Sequence, residues 1–112
     1  MRLDIAILAG WQEDPFYYDA GDGDYNHSIE EAAAFLGLGV ALTRDIATWD
    51  AEFQAIYSPA DTRTSAFATP EQESRWLETG RKLAQRIKQE SAIAASVNYR
   101  GDGTIPDQTC VF

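Results

Sequence analysis

A chain of 112 residues, 45% hydrophobic and 24% charged, suits one domain with one continuous core and leaves no room for two. Its formal net charge of −9 argues against nucleic acid as a partner, because binding phosphates requires lysine and arginine to replace condensed counterions. The single cysteine, Cys110, excludes an internal disulfide and suits a reducing, cytoplasmic setting, and no stretch approaches the roughly 18 apolar residues that a membrane span needs.

Leu3, Ile5 and Ile7 alternate with Arg2, Asp4 and Ala6, a period of two that predicts a strand over about residues 2–9. The apolar run from Ile5 to Gly10 is too short for the core of a secretion signal. Residues 10–27 are dense in Gly, Pro and Asp and read as a loop or a hairpin. Within them Phe16-Tyr17-Tyr18 suits a second short strand over about 16–19. Ser28 followed by Glu31 is a capping box and opens a helix over 28–36, which Gly37 and Gly39 stop. Leu42, Ile46, Trp49, Phe53, Ile56 and Tyr57 fall on one helical face, which predicts a helix over 41–57 ending before Pro59. Residues 58–68 read as a loop.

Thr69-Pro70-Glu71-Gln72 is a helix start, with Thr as N-cap and Pro at the first position. Trp76, Gly80, Leu83, Ala84 and Ile87 then line one face of a helix over 70–90. A glycine in mid-helix costs about 1 kcal/mol relative to alanine, so Gly80 implies that another element packs closely there. Ile93, Ala95, Val97 and Tyr99 alternate with small and polar residues and predict a strand over 93–100. The order is that of an α+β domain, a small antiparallel or mixed sheet covered by about three helices. Residues 1–100 are expected to form the globular domain, and the turn-rich residues 101–112 a loosely attached tail.

Few motifs carry chemistry. Asp22, Asp24 and Asn26 place oxygen ligands at alternate positions, as a calcium loop begins. His27 then stands where the loop needs glycine and Ala33 where it needs a closing glutamate, so the segment reads as a solvated turn with a weak claim to a divalent cation. Gly37-Leu38-Gly39 follows a helix instead of a strand and lacks the third glycine of a dinucleotide loop. His27, the only histidine, has only Ser28 as a nearby nucleophile and reads as a surface or capping residue. Cys110 has no activating neighbour in sequence. No catalytic residue and no cofactor are expected.

The aromatic residues are more informative. Trp11, Tyr17, Tyr18 and Tyr25 share a loop with Asp19, Asp22 and Asp24, and tyrosine and tryptophan are enriched at interface hot spots. Charge is lopsided in the same direction. Residues 1–61 hold twelve acidic side chains against Arg2 and Arg44, a net of −10, whereas residues 62–112 hold six against seven basic ones, a net of +1. Five of the nine basic residues, Arg75, Arg81, Lys82, Arg86 and Lys88, lie on the last helix. An acidic surface set with aromatic rings suits a basic protein partner.

From Trp49 with Glu52, Phe53 and Tyr57, through Thr69-Pro70-Glu71, Trp76, Gly80-Arg81-Lys82-Leu83-Ala84, Arg86-Ile87 and Glu90, to Val97-Asn98-Tyr99, the chain resembles small acidic proteins of high-GC Gram-positive bacteria. The first strand with Pro15-Phe16-Tyr17 is similar too. Some of these proteins are immunity-protein-like, and immunity proteins accompany secreted toxins. The resemblance implies a shared fold and brings no catalytic residue with it. The function expected is an acidic protein-binding module of the immunity type, which occludes a basic toxin or nuclease with Trp11, Tyr17, Tyr18, Asp19, Asp22, Asp24 and Tyr25. The alternatives are a phage-type inhibitor that mimics nucleic acid, a small enzyme or divalent-metal module using Asp22, Asp24 and Asn26, and a subunit that oligomerises through its aromatic side chains.

Overall fold

The computed structural model describes residues 2–57, 60 and 66–112, so most of the loop expected over 58–68 lies outside the described residues. Four strands, β1 (Leu3–Ile7), β2 (Phe16–Tyr17), β3 (Asn26–His27) and β4 (Ala94–Tyr99), are joined by helices α1 (Ile29–Leu36), α2 (Val40–Ala55) and α3 (Pro70–Glu90). The strands form one mixed sheet in the order β3-β2-β1-β4. Strand β1 runs parallel to β4 and antiparallel to β2, and β2 is antiparallel to β3. The α+β class expected from the sequence is the class observed. Strand β3 makes residues 10–27 a hairpin, the second of the two forms their composition allowed.

The helices follow their sequence signals closely. Ser28 Oγ accepts from the Glu31 amide, and Gly37 stops α1 in the left-handed conformation at φ 76°. Glu31 does not complete the capping box, because its carboxylate turns to His27 instead. Thr69 Oγ1 caps α3 at the Gln72 amide, and Gln72 Oε1 accepts from the Ala68 amide. Helix α2 buries Leu42, Ile46, Trp49 and Phe53. It ends at Ala55, so Ile56 and Tyr57 fall beyond its last turn. Helix α3 buries Trp76, Gly80, Leu83, Ala84 and Ile87, the stripe read from the sequence.

Two tryptophans tie α2 to α3. Their rings stack at 4.6 Å, and each indole N–H donates to the other's backbone carbonyl, Trp49 Nε1 to Trp76 O at 3.1 Å and Trp76 Nε1 to Trp49 O at 2.8 Å. Gly80 lies beneath this pair. A Cβ there would run into the Tyr99 hydroxyl and stand 2.6 Å from Trp49 Nε1, which is the close approach its mid-helix position implied.

Strand β4 departs from the alternation expected of it. Its register against β1 shifts between Leu3↔Ala94 and Asp4↔Ser96, so β4 carries one extra residue there. A bulge reverses the facing of every residue beyond it. Ala94 is therefore buried before the bulge, and Val97 and Tyr99 after it, while Ile93 and Ala95 are half-buried. On the far edge of β4, Val111 bridges Asn98, Val97 and Phe112 exchange both backbone hydrogen bonds, and the Tyr99 amide donates to Cys110 O. These bonds occupy backbone groups that an edge strand would otherwise expose. No helix among the described residues is long and apolar enough to cross a membrane.

Candidate functional site

Backbone turns set the acidic hairpin. Asp19 Oδ1 accepts from Gly21 N at 2.8 Å, Asp22 Oδ1 from Asp24 N at 3.1 Å, and Asp24 Oδ1 from Asn26 N at 3.3 Å. Each carboxylate thus closes a turn onto the amide two residues on, the habit that makes aspartate a turn former. The Tyr18 amide donates to Tyr25 O and shuts the loop. Asp19, Asp22, Asp24 and Tyr25 are all exposed, and Tyr25 keeps 59% of its surface in solvent.

The other aromatic residues expected in a binding surface lie deeper. Tyr18 is buried at 4% exposure and stacks on His27 at 3.8 Å and on Phe35 at 5.3 Å. Tyr17 is half-buried and donates to Glu13 Oε2 at 3.0 Å. Burial first, then that bond, pushes its hydroxyl up to about 12. Trp11 is half-buried and stacks on Phe53 at 5.4 Å. It lines a separate hollow of about 340 Å³ with Phe53, Phe67 and Asp102, which shares no residue with the hairpin site. The fold brings Tyr18, Asp22, Asp24 and Tyr25 together and leaves Trp11 apart.

His27 is a correction to the sequence reading. The surface or capping histidine is a core residue, only 2% exposed. It pairs with Phe16 across β2–β3 and lies under the Tyr18 ring. Its Nδ1 is 2.5 Å from Glu31 Oε1 and its Nε2 is 3.0 Å from Tyr18 O. Both partners are acceptors only, so the imidazolium, with two N–H donors, is the form that satisfies both. Burial pulls the imidazole pKa down. The bonds to Glu31 and Tyr18 O, with the charges of Glu31 and Asp24, outweigh burial and raise it overall. A protonated His27 has no lone pair with which to act as a base.

The calcium-like reading changes as well. Asn26 donates through Nδ2 to Asp14 O at 2.6 Å and to Phe16 O at 3.1 Å, which ties the hairpin together and does not turn the side chain toward Asp22. The side chains that converge are Asp24, His27 and Glu31, with one ligand atom each within 4.8 Å of the others. A cation there would have to displace the proton shared by His27 and Glu31, so we assign the set no metal role.

What results is a cup of about 90 Å³ lined by Tyr18, Ala20, Asp22, His27, Glu31 and Phe35. Burial first, and then the charges of Glu31, Asp22 and Asp24, push the Tyr18 hydroxyl up to about 12. Phe35 escaped the sequence reading, and Glu31 entered it as a capping residue and not as part of a binding surface. The signal was present, since residues 27, 31 and 35 recur every fourth position and so share one side of the entry to α1. By contrast, the groove between α2 and α3 has mixed charge, and its Arg86 and Asp45 pair at 2.7 Å.

Over residues 3–102 the chain matches the family model described as Serratia CdiI immunity protein-like. The chain belongs to this family. No curated protein matches it. Immunity protein-like character agrees with the resemblance drawn from the sequence. The family match covers every strand and helix, from β1 through β4, and includes the whole acidic hairpin.

Proposed function

We propose that this protein is an immunity-type inhibitor that binds a toxin protein and blocks its action. The observation that carries this reading is membership of an immunity protein-like family over residues 3–102. The partner surface is the acidic face made by the β2–β3 hairpin and α1. There Asp19, Asp22, Asp24, Glu30 and Glu31 are exposed together with two rings left at the surface, Tyr25 and Phe35. A face with this composition suits a basic region of the toxin, because unlike potentials speed encounter and fix orientation, while exposed rings supply contact area. Inhibition then needs no chemistry from the inhibitor, only that it cover the toxin's working surface.

The direct test is protection. The open reading frame adjacent to this gene is expressed from an inducible promoter with and without the protein. Survival is expected only when the two are produced together. Equal growth arrest in both cultures, with no complex recovered, would overturn the reading.

A further inference from the structure

We propose that the cup between the β2–β3 loop and α1 receives a single lysine or arginine side chain of the bound toxin. This deepens the toxin-binding reading and rests on it. The cup's volume of about 90 Å³ equals the share of about three waters, room for a guanidinium group or the end of a lysine chain and for little more. Its charged lining is two carboxylates, Asp22 and Glu31, against one imidazolium, His27, whose N–H groups are both held by internal acceptors. Asp22 and Glu31 present oxygen acceptors, and an anion entering between them meets repulsion from both. A neutral apolar side chain would strip water from the carboxylates and return no hydrogen bond. A cation meets carboxylates on one side and aromatic rings on the other. Tyr18 stacks on both His27 and Phe35, so the rings give the cup an apolar wall along which the aliphatic stem of a lysine or arginine packs.

Phe35 supports the same conclusion. Helix α1 sends Ala32 and Leu36 into the core, while Phe35 keeps 38% of its surface exposed at the mouth of the cup. Its ring is held there by stacking on Tyr18, so a wall for an incoming chain exists before binding. His27 tempers the site without reversing it. Two carboxylates in the lining, with Asp24 close to His27 and Glu31, outnumber this one imidazolium.

Two experiments on the full chain separate this proposal from the reading beneath it. In the first, amide and histidine signals are followed by NMR while N-acetyl-arginine amide, N-acetyl-lysine amide or the neutral N-acetyl-norleucine amide is added up to its solubility limit. Saturable shifts at Ala20, Asp22, His27 and Glu31 are expected with the two cationic probes. They should be weakened in D22N, whose side chain keeps an oxygen for the Asp24 amide and leaves the pairing of His27 with Glu31 in place. Equal shifts with the neutral probe, none with any probe, or shifts at these residues only on adding zinc chloride would each overturn the proposal.

In the second, each lysine and arginine of the toxin is replaced by alanine and measured against wild type and E31Q. One basic residue is expected to lose at least about tenfold in affinity, most of it only when Glu31 is present. A toxin that binds with no such coupled residue refutes the cup and spares the immunity reading. A protein that takes up the cationic probes but binds no toxin refutes the immunity reading alone.

Discussion

His27 shows how one side chain can decide a local structure. Both of its nitrogens face acceptors, Glu31 Oε1 and Tyr18 O, so the proton that makes it an imidazolium also clamps α1 to the hairpin. Its folded pKa is raised. Its contribution to stability is therefore complete below the unfolded value of about 6.5 and is lost as pH rises through the folded value. NMR titration reads this directly, since one histidine gives one ring signal. The midpoint is expected above about 6.5 in the wild type and lower in E31Q, and a midpoint unmoved by E31Q contradicts the clamp. Gly80 makes the opposite kind of claim, about space. Alanine there would gain about 1 kcal/mol of helix propensity, yet its Cβ collides with the Tyr99 hydroxyl and crowds Trp49. Overpacking of that kind costs about 1–3 kcal/mol, so G80A should lower the urea midpoint. A rise would mean that the contact relaxes freely.

Among the elements, α2 and α3 act as a pair through the exchanged indole bonds of Trp49 and Trp76. W49F and W76F each remove a bond that closes the same stack, so their costs should not add. Urea unfolding of both single variants and the double is expected to give a coupling of about 0.5–3 kcal/mol, and strict additivity would refute the pairing. These helices were the legible part of the sequence, because a stripe such as Trp76, Gly80, Leu83, Ala84 and Ile87 is repeated often enough to outweigh local accidents, and Thr69-Pro70 marks its start. The strands were less legible for physical reasons. Strand β3 is only two residues long, too short for a period. The bulge in β4 breaks the alternation by which that strand was read. The burial of His27 depends on Tyr18 folding back over it from the far arm of the hairpin, a contact that no spacing in the sequence encodes. Of the proposed site, the turn-forming aspartates could be read from composition. Glu31 and Phe35 join it only once α1 starts beside β3.

Across the whole molecule, charge follows the sheet. The acidic hairpin and α1 sit at the β3 end, while α3, with five of the nine basic residues, packs on β4 at the other end. The hairpin of residues 10–27 and α1 hold seven acidic side chains and no lysine or arginine, whereas α2 and α3 carry mixed charge, so the negative end is the one presenting Tyr25 and Phe35. Such a molecule meets a basic target in a preferred orientation, and added salt weakens that attraction as the screening length shortens. The most direct test is the affinity for the product of the open reading frame adjacent to this gene, measured by calorimetry at rising salt for the wild type and for the D19N/D22N/D24N variant. Wild-type affinity should fall steeply with salt, and the variant should bind at least about tenfold more weakly at low salt with a flatter salt dependence. Wild-type and variant proteins that bind with equal affinity at every salt concentration, or a wild type that does not bind at all, would contradict the account.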